Sequence, residues 1–326
     1  MFIYHNMKKS PKTRQKKVFG QTDQWQILLY YKYVPILLPQ KFAYEHLKLC
    51  KKLGLKGRII VAKEGINGTV GGPKKATDRY MKIMREDKRF ADMQFKISNG
   101  LAGTFQKIFV RARPELVTLA LDKGKIDPRR HGGAYLKAEE LKRMYDNDED
   151  FVIVDMRNKY ESAIGKFQNA ITMDITVFKE LPEAVSELEP YKNKKIVTYC
   201  TGGIRCEKAS AFLKKRGFKD VYQLEGGIVK YGEKFPDDYW EGKLFVFDER
   251  MAIPINTPKN RKIIAKCRHC AAPWDDYINC ANVKCNELFL CCDACRAKLA
   301  DCCSFSCVKF VKNKKYHTST PTIAAI

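Results

Sequence analysis

The pattern of apolar and polar positions predicts two folded domains of different type. Between residues 26 and 112, apolar strand-like runs and amphipathic stretches follow one another in the order β-α-β-β-α-β. The predicted strands are 26–34, 57–62, 69–71 and 105–112, and the predicted helices are 39–53 and 73–85. This order is typical of a ferredoxin-like split βαβ domain, an α+β fold, which we place at residues 21–127.

A second pattern begins after a polar linker at 127–133. Helices are predicted at 136–145, 181–188 and 207–215, and strands at 151–155, 195–199 and 221–224. Strands and helices that alternate at this length predict a mostly parallel sheet covered on both faces. We therefore place an α/β domain at residues 128–250.

The loop after the predicted strand 195–199 carries the chemistry. It consists of Cys200, Thr201, Gly202, Gly203, Ile204, Arg205 and Cys206. In a tight loop with two glycines, backbone N–H groups point inward at the sulfur, and the positive end of the following helix dipole favours an anion there. Arg205 adds a fixed positive charge. We therefore predict a catalytic thiolate at Cys200 with a lowered pKa, assisted by Arg205.

Three residues beside this thiol have two interpretations each. Cys206 is either a resolving thiol for an oxidised Cys200 or a small buried hydrophobe, and we favour the second because its thiol need not point at the loop centre. Asp155 and Arg157 are either an acid and an anion holder or a structural brace. We favour the brace, in which Asp155 caps loop amides and Arg157 pairs with a carboxylate.

The Cys200 loop resembles the active-site loop of the rhodanese fold. The resemblance extends to the strand 152–157, which ends in Asp-x-Arg, to Tyr160 and Glu161, Gly165, Ala170 and Ile171, and to 224–227. The string Lys-Gly-Arg-Ile-Ile-Val-Ala-Lys-Glu-Gly-Ile-Asn-Gly-Thr at 56–69 is similar to a signature of the tRNA uridine(34) hydroxylase family, rhodanese-domain proteins formerly of uncharacterised function. The resemblance covers residues 26–307. Within this string we expect Gly65–Gly68 to form a hairpin turn.

This resemblance implies a fold and an activity. Members of this family combine an acylphosphatase-like domain, a rhodanese domain and a cysteine-rich tail. It implies an oxidoreductase of the EC 1.14 type that converts the wobble uridine of tRNA to 5-hydroxyuridine with molecular oxygen. The anticodon region of tRNA would be the partner, with the domain at 21–127 binding RNA.

The cysteine-rich segment at 251–316 has the spacing of a metal site. Ten cysteines lie between residues 267 and 307. Eight of them form four pairs, Cys267/Cys270, Cys280/Cys285, Cys292/Cys295 and Cys303/Cys307. These suffice for two tetrahedral zinc sites with a structural role, and in one arrangement the first pair joins the third and the second joins the fourth. One zinc ion, none, an iron–sulfur cluster or disulfides remain open alternatives, and His269 is expected to be a bystander.

The charge distribution favours a polyanionic partner. The net charge is +24, yet residues 128–250 contain 22 basic and 22 acidic side chains, so the flanking segments carry the excess. Solvated lysines explain the same excess without any partner. We expect a basic, disordered tail at 1–20 and a C-terminal tail at 317–326. Because no apolar run approaches the roughly 20 residues of a membrane span and no secretory signal is present, we expect a cytoplasmic protein with neither membrane nor DNA partners.

No motif for a flavin, a haem or a 2-His-1-carboxylate iron site is present, so no cofactor for catalysis is recognised. We hypothesise that the Cys200 thiolate adds to C6 of uracil, that oxygen reacts at C5, and that the thiol leaves after reduction. Arg205 and the loop amides would stabilise the oxyanion at O4. This chemistry requires a thiol that a flipped-out pyrimidine can reach. The alternatives are a sulfurtransferase that carries a persulfide on Cys200 and a non-catalytic RNA-binding adaptor.

Overall fold

The computed structural model describes residues 24–121 and 126–313. The expected tails at 1–20 and 317–326 lie outside these residues. The elements of the first domain are β1 Trp25–Tyr33, α1 Pro39–Lys52, β2 Lys56–Ala62, β3 Gly65–Pro73, α2 Lys74–Glu86, β4 Phe95–Asn99 and β5 Ile108–Ala112. Both helices pack on one face of the sheet, around a core that includes Leu28, Ile59, Val70, Tyr80 and Met84.

The sheet of this domain confirms the ferredoxin-like prediction and corrects one strand. Its order is β4-β1-β3-β2-β5, and β4 pairs antiparallel with β1. The fourth strand of the ferredoxin-like set is therefore β4, which the sequence analysis missed. The strand expected at 105–112 is β5, which adds a parallel fifth strand next to β2. β4 escaped prediction because it is a short edge strand whose side chains are all half-buried or exposed.

The turn between β2 and β3 also differs from the prediction. It lies at Lys63 and Glu64, so the expected turn residues Gly65–Gly68 are instead the first part of β3, where they pair with β1 and β2. The glycine at position 68 is required by packing, since a Cβ there would lie 2.4 Å from the hydroxyl oxygen of Tyr30. The signature string is thus a strand pair in the centre of the sheet.

The second domain has the predicted parallel sheet. Its elements are β6 Ala134–Leu136, α4 Ala138–Asp146, β7 Val152–Asp155, α5 Lys159–Ser162, β8 Gly165–Phe167, β9 Ile171–Thr172, α6 Leu181–Ala184, β10 Lys195–Tyr199, α7 Ile204–Lys215, β11 Asp220–Leu224 and α8 Gly227–Lys234. Two 3₁₀ helices, Phe178–Glu180 and Val185–Tyr191, flank α6. The sheet order is β6-β11-β10-β7-β9, and every pairing is parallel.

Alternate residues of the central strands enter two separate cores. Ile196 of β10 packs with Phe212 and Leu213 of α7 on one face. Val197 packs on the other face with residues of α4 and α8. Because both faces are covered, β10 is buried from Ile196 to Tyr199. It ends at the edge of the sheet where reactive loops are placed in open α/β folds.

The linker and the C-terminal segment complete the described chain. The expected linker contains a short helix, α3 Pro128–His131, between β5 and β6. After α8 the elements are β12 Trp240–Phe245, β13 Ala252–Pro254, β14 Tyr277–Asn279, β15 Leu288–Leu290, α9 Asp293–Leu299 and α10 Phe305–Asn313. β12 pairs with β8 and β13, and β14 with β15. Among the described residues, no helix is long and apolar enough to span a membrane.

Candidate active site

The Cys200 loop is held by the first turn of the helix that follows it and by α8. Gly203 adopts a φ of +104°, the left-handed region that glycine tolerates, and this lets the chain turn directly into α7. The carbonyl of Cys200 accepts a hydrogen bond from the amide of Ile228 at 3.0 Å, and that of Thr201 accepts one from Val229 at 3.1 Å. The loop is therefore fixed at both ends, with the sulfur on its inner side.

The inward-facing amides predicted from the sequence are present around the sulfur. The amide of Gly203 donates to Sγ of Cys200 at 3.2 Å. Burial opposes ionisation, but the thiol of Cys206, the charge of Arg205 and the amides of Arg205 and Cys206 outweigh it, and together they lower the Cys200 pKa from the ordinary 9.0 to about 5. At neutral pH this sulfur is a thiolate.

Cys206 acts on the pKa of Cys200, which adds an electrostatic effect to the structural role that we favoured. Cys206 is fully buried in the core beneath α7, as expected. Its thiol nevertheless lies close enough to the Cys200 sulfur for each group to shift the pKa of the other. Burial and the interaction with the Cys200 thiolate raise the Cys206 pKa, so Cys206 keeps its proton. Cys206 thus stabilises the neighbouring thiolate.

Arg205 is engaged by a residue that the sequence analysis did not assign to the site. Its guanidinium makes two contacts with the buried carboxylate of Glu161, at 2.5 and 2.8 Å. It also reaches Oγ1 of Thr201 at 3.5 Å. A bidentate buried pair fixes the guanidinium in one position. The charge of Arg205 acts on the Cys200 thiolate from there.

Asp155 and Arg157 form the predicted brace. Both side chains are fully buried, and Nη2 of Arg157 lies 2.5 Å from Oδ2 of Asp155. The Asp155 carboxylate also accepts from the Arg157 amide at 3.0 Å. Arg157 donates further to the carbonyl of Gly165 at 2.6 Å. Because neither side chain reaches solvent, they connect β7 to β8 and have no access to a substrate.

The first domain covers the loop, contrary to the expectation that a base could reach the thiol directly. Cys200 is only 1% exposed. Strand β1 approaches so closely that a Cβ on Gly202 would lie 3.0 Å from Cδ2 of Leu29, and one on Gly203 would lie 2.9 Å from the Tyr31 hydroxyl. The Tyr33 hydroxyl donates to the carbonyl of Ile204 at 3.4 Å. Sequence patterns within one domain carry no signal for this contact between domains.

A buried lysine ties the same two domains together. Lys208, on α7 and 3% exposed, contacts Glu64 at 2.8 Å and Glu115 at 2.6 Å. Glu64 also accepts from the amide of Leu116 at 2.6 Å. This gives Glu64, in the turn of the signature string, a role in joining the domains. The sequence analysis recognised the string but not this contact.

Beside the loop, the two domains enclose a cavity of about 920 Å³. One wall is formed by β1 and β4, with Tyr31, Tyr33 and Lys96. The opposite wall includes Glu207 at the start of α7, and Arg130 comes from the linker helix. A space of this size accommodates a nucleotide, and Tyr31 separates it from the loop.

The cysteines of the C-terminal segment meet in the two groups that the alternating arrangement requires. Each group holds four sulfurs within 4.8 Å of one another. The groups are Cys267, Cys270, Cys292 and Cys295, and Cys280, Cys285, Cys303 and Cys307. Sulfurs at about 2.3 Å from a tetrahedral zinc ion lie about 3.8 Å apart.

The observed sulfur separations fit that geometry. Sγ atoms of Cys270 and Cys292 are 3.6 Å apart, and those of Cys303 and Cys307 are 3.8 Å apart. Amides support the groups, since Cys292 donates to the Cys267 sulfur at 3.4 Å. His269 contacts the carbonyl of Cys302 and belongs to neither group, as expected. The residues present therefore fit two zinc ions.

The fold and the site define a protein with a rhodanese-like domain whose loop cysteine is a thiolate. Family models match at residues 25–116 for the UPF0176 acylphosphatase-like domain, 137–234 for the rhodanese-like domain and 241–308 for the rhodanese C-terminal segment. The solution structure of a rhodanese-like domain from Anabaena sp. is 26% identical over 36% of this chain and 80% of that one, with a TM-score of 0.29.

Two curated relatives identify the family. A tRNA uridine(34) hydroxylase of Bacillus licheniformis is 49% identical over 87% of this chain and 88% of its own. A tRNA uridine(34) hydroxylase of Staphylococcus aureus is 46% identical over 89% of this chain and 91% of its own. The chain therefore belongs to the tRNA uridine(34) hydroxylase family.

Proposed function

We propose that this protein is a cytoplasmic oxidoreductase that hydroxylates C5 of the wobble uridine in the anticodon region of tRNA, with O₂ as co-substrate. The observation that carries the proposal is the Cys200 thiolate, with a pKa of about 5, in a chain whose relatives are named for this reaction. Uracil C5 is a poor partner for oxygen until a nucleophile adds at C6. A thiolate supplies that nucleophile.

The proposed chemistry balances with a thiol reductant from solution. Cys200 adds to C6, and the electrons of the C5=C6 bond move to C5 and O4. C5 then bonds to O₂, and one proton completes a hydroperoxide. Two thiols supply two electrons and two protons, which cleave the O–O bond to leave a C5 hydroxyl and water, while the thiols become a disulfide. Loss of the C5 proton and departure of the Cys200 thiolate restore the double bond.

Binding of tRNA would use the basic residues around the cavity between the domains. Arg129, Arg130, Lys230 and Lys32 all line it and suit contacts to phosphates. The Cys200 sulfur must also be uncovered for the reaction. We infer that the first domain, which presents Leu29 and Tyr31 of β1 to the loop, moves away from it when the anticodon enters.

The direct test measures modified nucleosides in tRNA from cells that lack this protein. We expect 5-hydroxyuridine and its derivatives at the wobble position to disappear, to return with the wild-type gene, and to stay absent with Cys200→Ala. Unchanged modification in the deletion strain would refute the function. Full rescue by Cys200→Ala would refute the role of the thiol.

A second experiment tests the covalent step. Intact-mass analysis of the enzyme with 5-fluorouridine-substituted tRNA should reveal an adduct on Cys200, because fluorine at C5 cannot leave as a proton does. Absence of any adduct while normal tRNA is still turned over would exclude attack at C6.

Sulfur transfer is the second candidate, favoured by the match to the rhodanese-like domain. The amides and Arg205 that stabilise a thiolate would also stabilise a persulfide anion on Cys200. Thiosulfate:cyanide activity together with unchanged wobble uridines in the deletion strain would establish it. The hypothesis of a non-catalytic RNA-binding adaptor would be supported only if Cys200→Ser left the level of hydroxylated tRNA unchanged. The lowered pKa of Cys200 argues against this hypothesis.

We also propose that the two cysteine groups bind zinc with a structural role. Their segment packs against the rhodanese-like domain, where the Tyr277 hydroxyl donates to the carbonyl of Tyr160 at 2.8 Å. Tyr160 precedes Glu161, the partner of Arg205. A folded zinc segment would therefore support α5 and, through it, the position of Arg205.

A further inference from the structure

The cavity between the domains contains a buried carboxylate with unused acceptor capacity. Glu207 lines the cavity and is 5% exposed. Oε1 of Glu207 accepts hydrogen bonds from the hydroxyls of Tyr31 at 2.9 Å and Tyr135 at 2.8 Å. Oε2 accepts one from the side-chain amide of Gln223 at 3.2 Å. A carboxylate offers about four acceptor positions, so in the described part of the chain Oε2 retains one.

The surroundings of Glu207 favour its use as an acceptor. All three neighbouring groups donate to it, which orients their hydrogens toward the carboxylate. Burial raises the Glu207 pKa, while the hydrogen bonds from Tyr135, Tyr31 and Gln223 act in the opposite direction. A buried carboxylate with a free lone pair at a cavity wall suits a ligand that presents an N–H donor.

Lys96 faces the same cavity from the first domain and supplies the complementary charge. Its side chain is half-buried on β4, with the ammonium 5.3 Å from the centre of the Tyr31 ring. No carboxylate of the described residues forms an ion pair with it. Burial lowers the Lys96 pKa, against the attraction of the Cys200 thiolate and of Glu207, so the ammonium lies within electrostatic reach of both.

We propose that Lys96 and Glu207 read the uracil ring, with Glu207 accepting from N3–H and Lys96 donating to O4. This inference rests on the proposed function and names the residues that select its base. Uracil presents a donor at N3 and an acceptor at C4, whereas cytosine presents a lone pair at N3 and an amino group at C4. Cytosine would therefore place a lone pair against the carboxylate and a donor against the ammonium.

Lys96 and Glu207 also contribute to the proposed reaction. When Cys200 adds to C6, negative charge develops on O4, and a nearby cation stabilises it. Arg205, which we had expected to do this, is paired with Glu161 and is not among the residues that line the cavity. Among the described basic residues that line the cavity, Lys96 is the one that forms no ion pair with a carboxylate. Entry of the base toward Cys200 displaces Tyr31, which also frees a position on Oε1 of Glu207.

Binding and turnover of anticodon stem-loops with U34, C34 or N3-methyl-U34 test the proposal. For the wild type we expect U34 to bind at least about tenfold more tightly than either analogue. Glu207→Gln should bring the U34-to-C34 affinity ratio close to one, because an amide both donates and accepts. Glu207→Asp, which keeps the carboxylate, should weaken binding but preserve the preference. Glu187→Gln, an exposed substitution outside the cavity lining, is the matched control and should behave as the wild type.

Lys96 is tested by kinetics. Lys96→Met should lower kcat at least about tenfold with a smaller change in KM, and Lys96→Arg should restore part of kcat. If the wild type fails to hydroxylate U34, the proposed function is wrong. If it hydroxylates U34 while a folded Glu207→Gln, checked by circular dichroism, keeps the wild-type U34-to-C34 ratio, only the present inference is overturned. An unchanged kcat in Lys96→Met would refute the proposed role of Lys96.

Discussion

Replacement of Cys206 by alanine should raise the Cys200 pKa. The Cys206 thiol is the foremost of the groups that favour the thiolate, ahead of the Arg205 charge and the loop amides. A hydrogen bond to a charged group contributes about 1.5–3 kcal/mol, and one pKa unit corresponds to about 1.4 kcal/mol. Cys206→Ala should therefore move the Cys200 pKa from about 5 to roughly 6–7.

The assay is the pH dependence of iodoacetamide alkylation at Cys200. Trypsin cleaves after Lys195 and Arg205, so the peptide 196–205 contains Cys200 but not Cys206, and its alkylation can be quantified by mass spectrometry. For the wild type we expect a rate that rises through pH 5 and is level from pH 6 to 8, since the thiolate forms above the pKa. Burial slows the absolute rate but leaves the midpoint in place.

Cys206→Ser is the matched control. Serine keeps a donor of similar size at this position, so the midpoint should stay closer to that of the wild type than to that of Cys206→Ala. If the alanine variant titrates at the wild-type midpoint, Cys206 does not stabilise the thiolate. Its role is then the structural one that the sequence suggested.

Three further results are expected. Leu29→Ala should speed alkylation of Cys200 several-fold at pH 7 without moving its midpoint, because Leu29 covers the loop; an unchanged rate would show that β1 does not limit access. Glu161→Gln should lower the free energy of unfolding by about 3 kcal/mol in denaturant titrations, since it leaves Arg205 buried with an incomplete partner, and a loss below 1 kcal/mol would contradict this. Elemental analysis should find two zinc ions per wild-type chain and one after Cys280→Ser, whereas equal content in both would refute a site at Cys280.

The chemistry of single segments could be predicted from the sequence because it depends on local geometry. The strand, the glycine loop and the helix around Cys200 are continuous in the chain, and their spacing alone brings amides to the sulfur. The alternating cysteine pairs could likewise be arranged from spacing, and the structure groups them in that way. Both domain types followed from the periods of the apolar positions.

Contacts between distant segments could not be predicted. Glu161 meets Arg205 across 44 residues, and Tyr31 meets Glu207 across 176. Neither residue type nor spacing indicates these partners, since a glutamate in a short helix and a tyrosine in a strand have many alternatives. The cover over Cys200 was missed for the same reason. It depends on how the two domains pack, and each apolar pattern describes only one of them.

The most direct measurement of the central claim is a reaction of purified protein with unmodified tRNA and a thiol under ¹⁸O₂, followed by mass spectrometry of the nucleosides. The account predicts 5-hydroxyuridine at the wobble position with one ¹⁸O atom from the wild type, and none from Cys200→Ala. Product from the alanine variant, or product whose new oxygen comes from water, would contradict it.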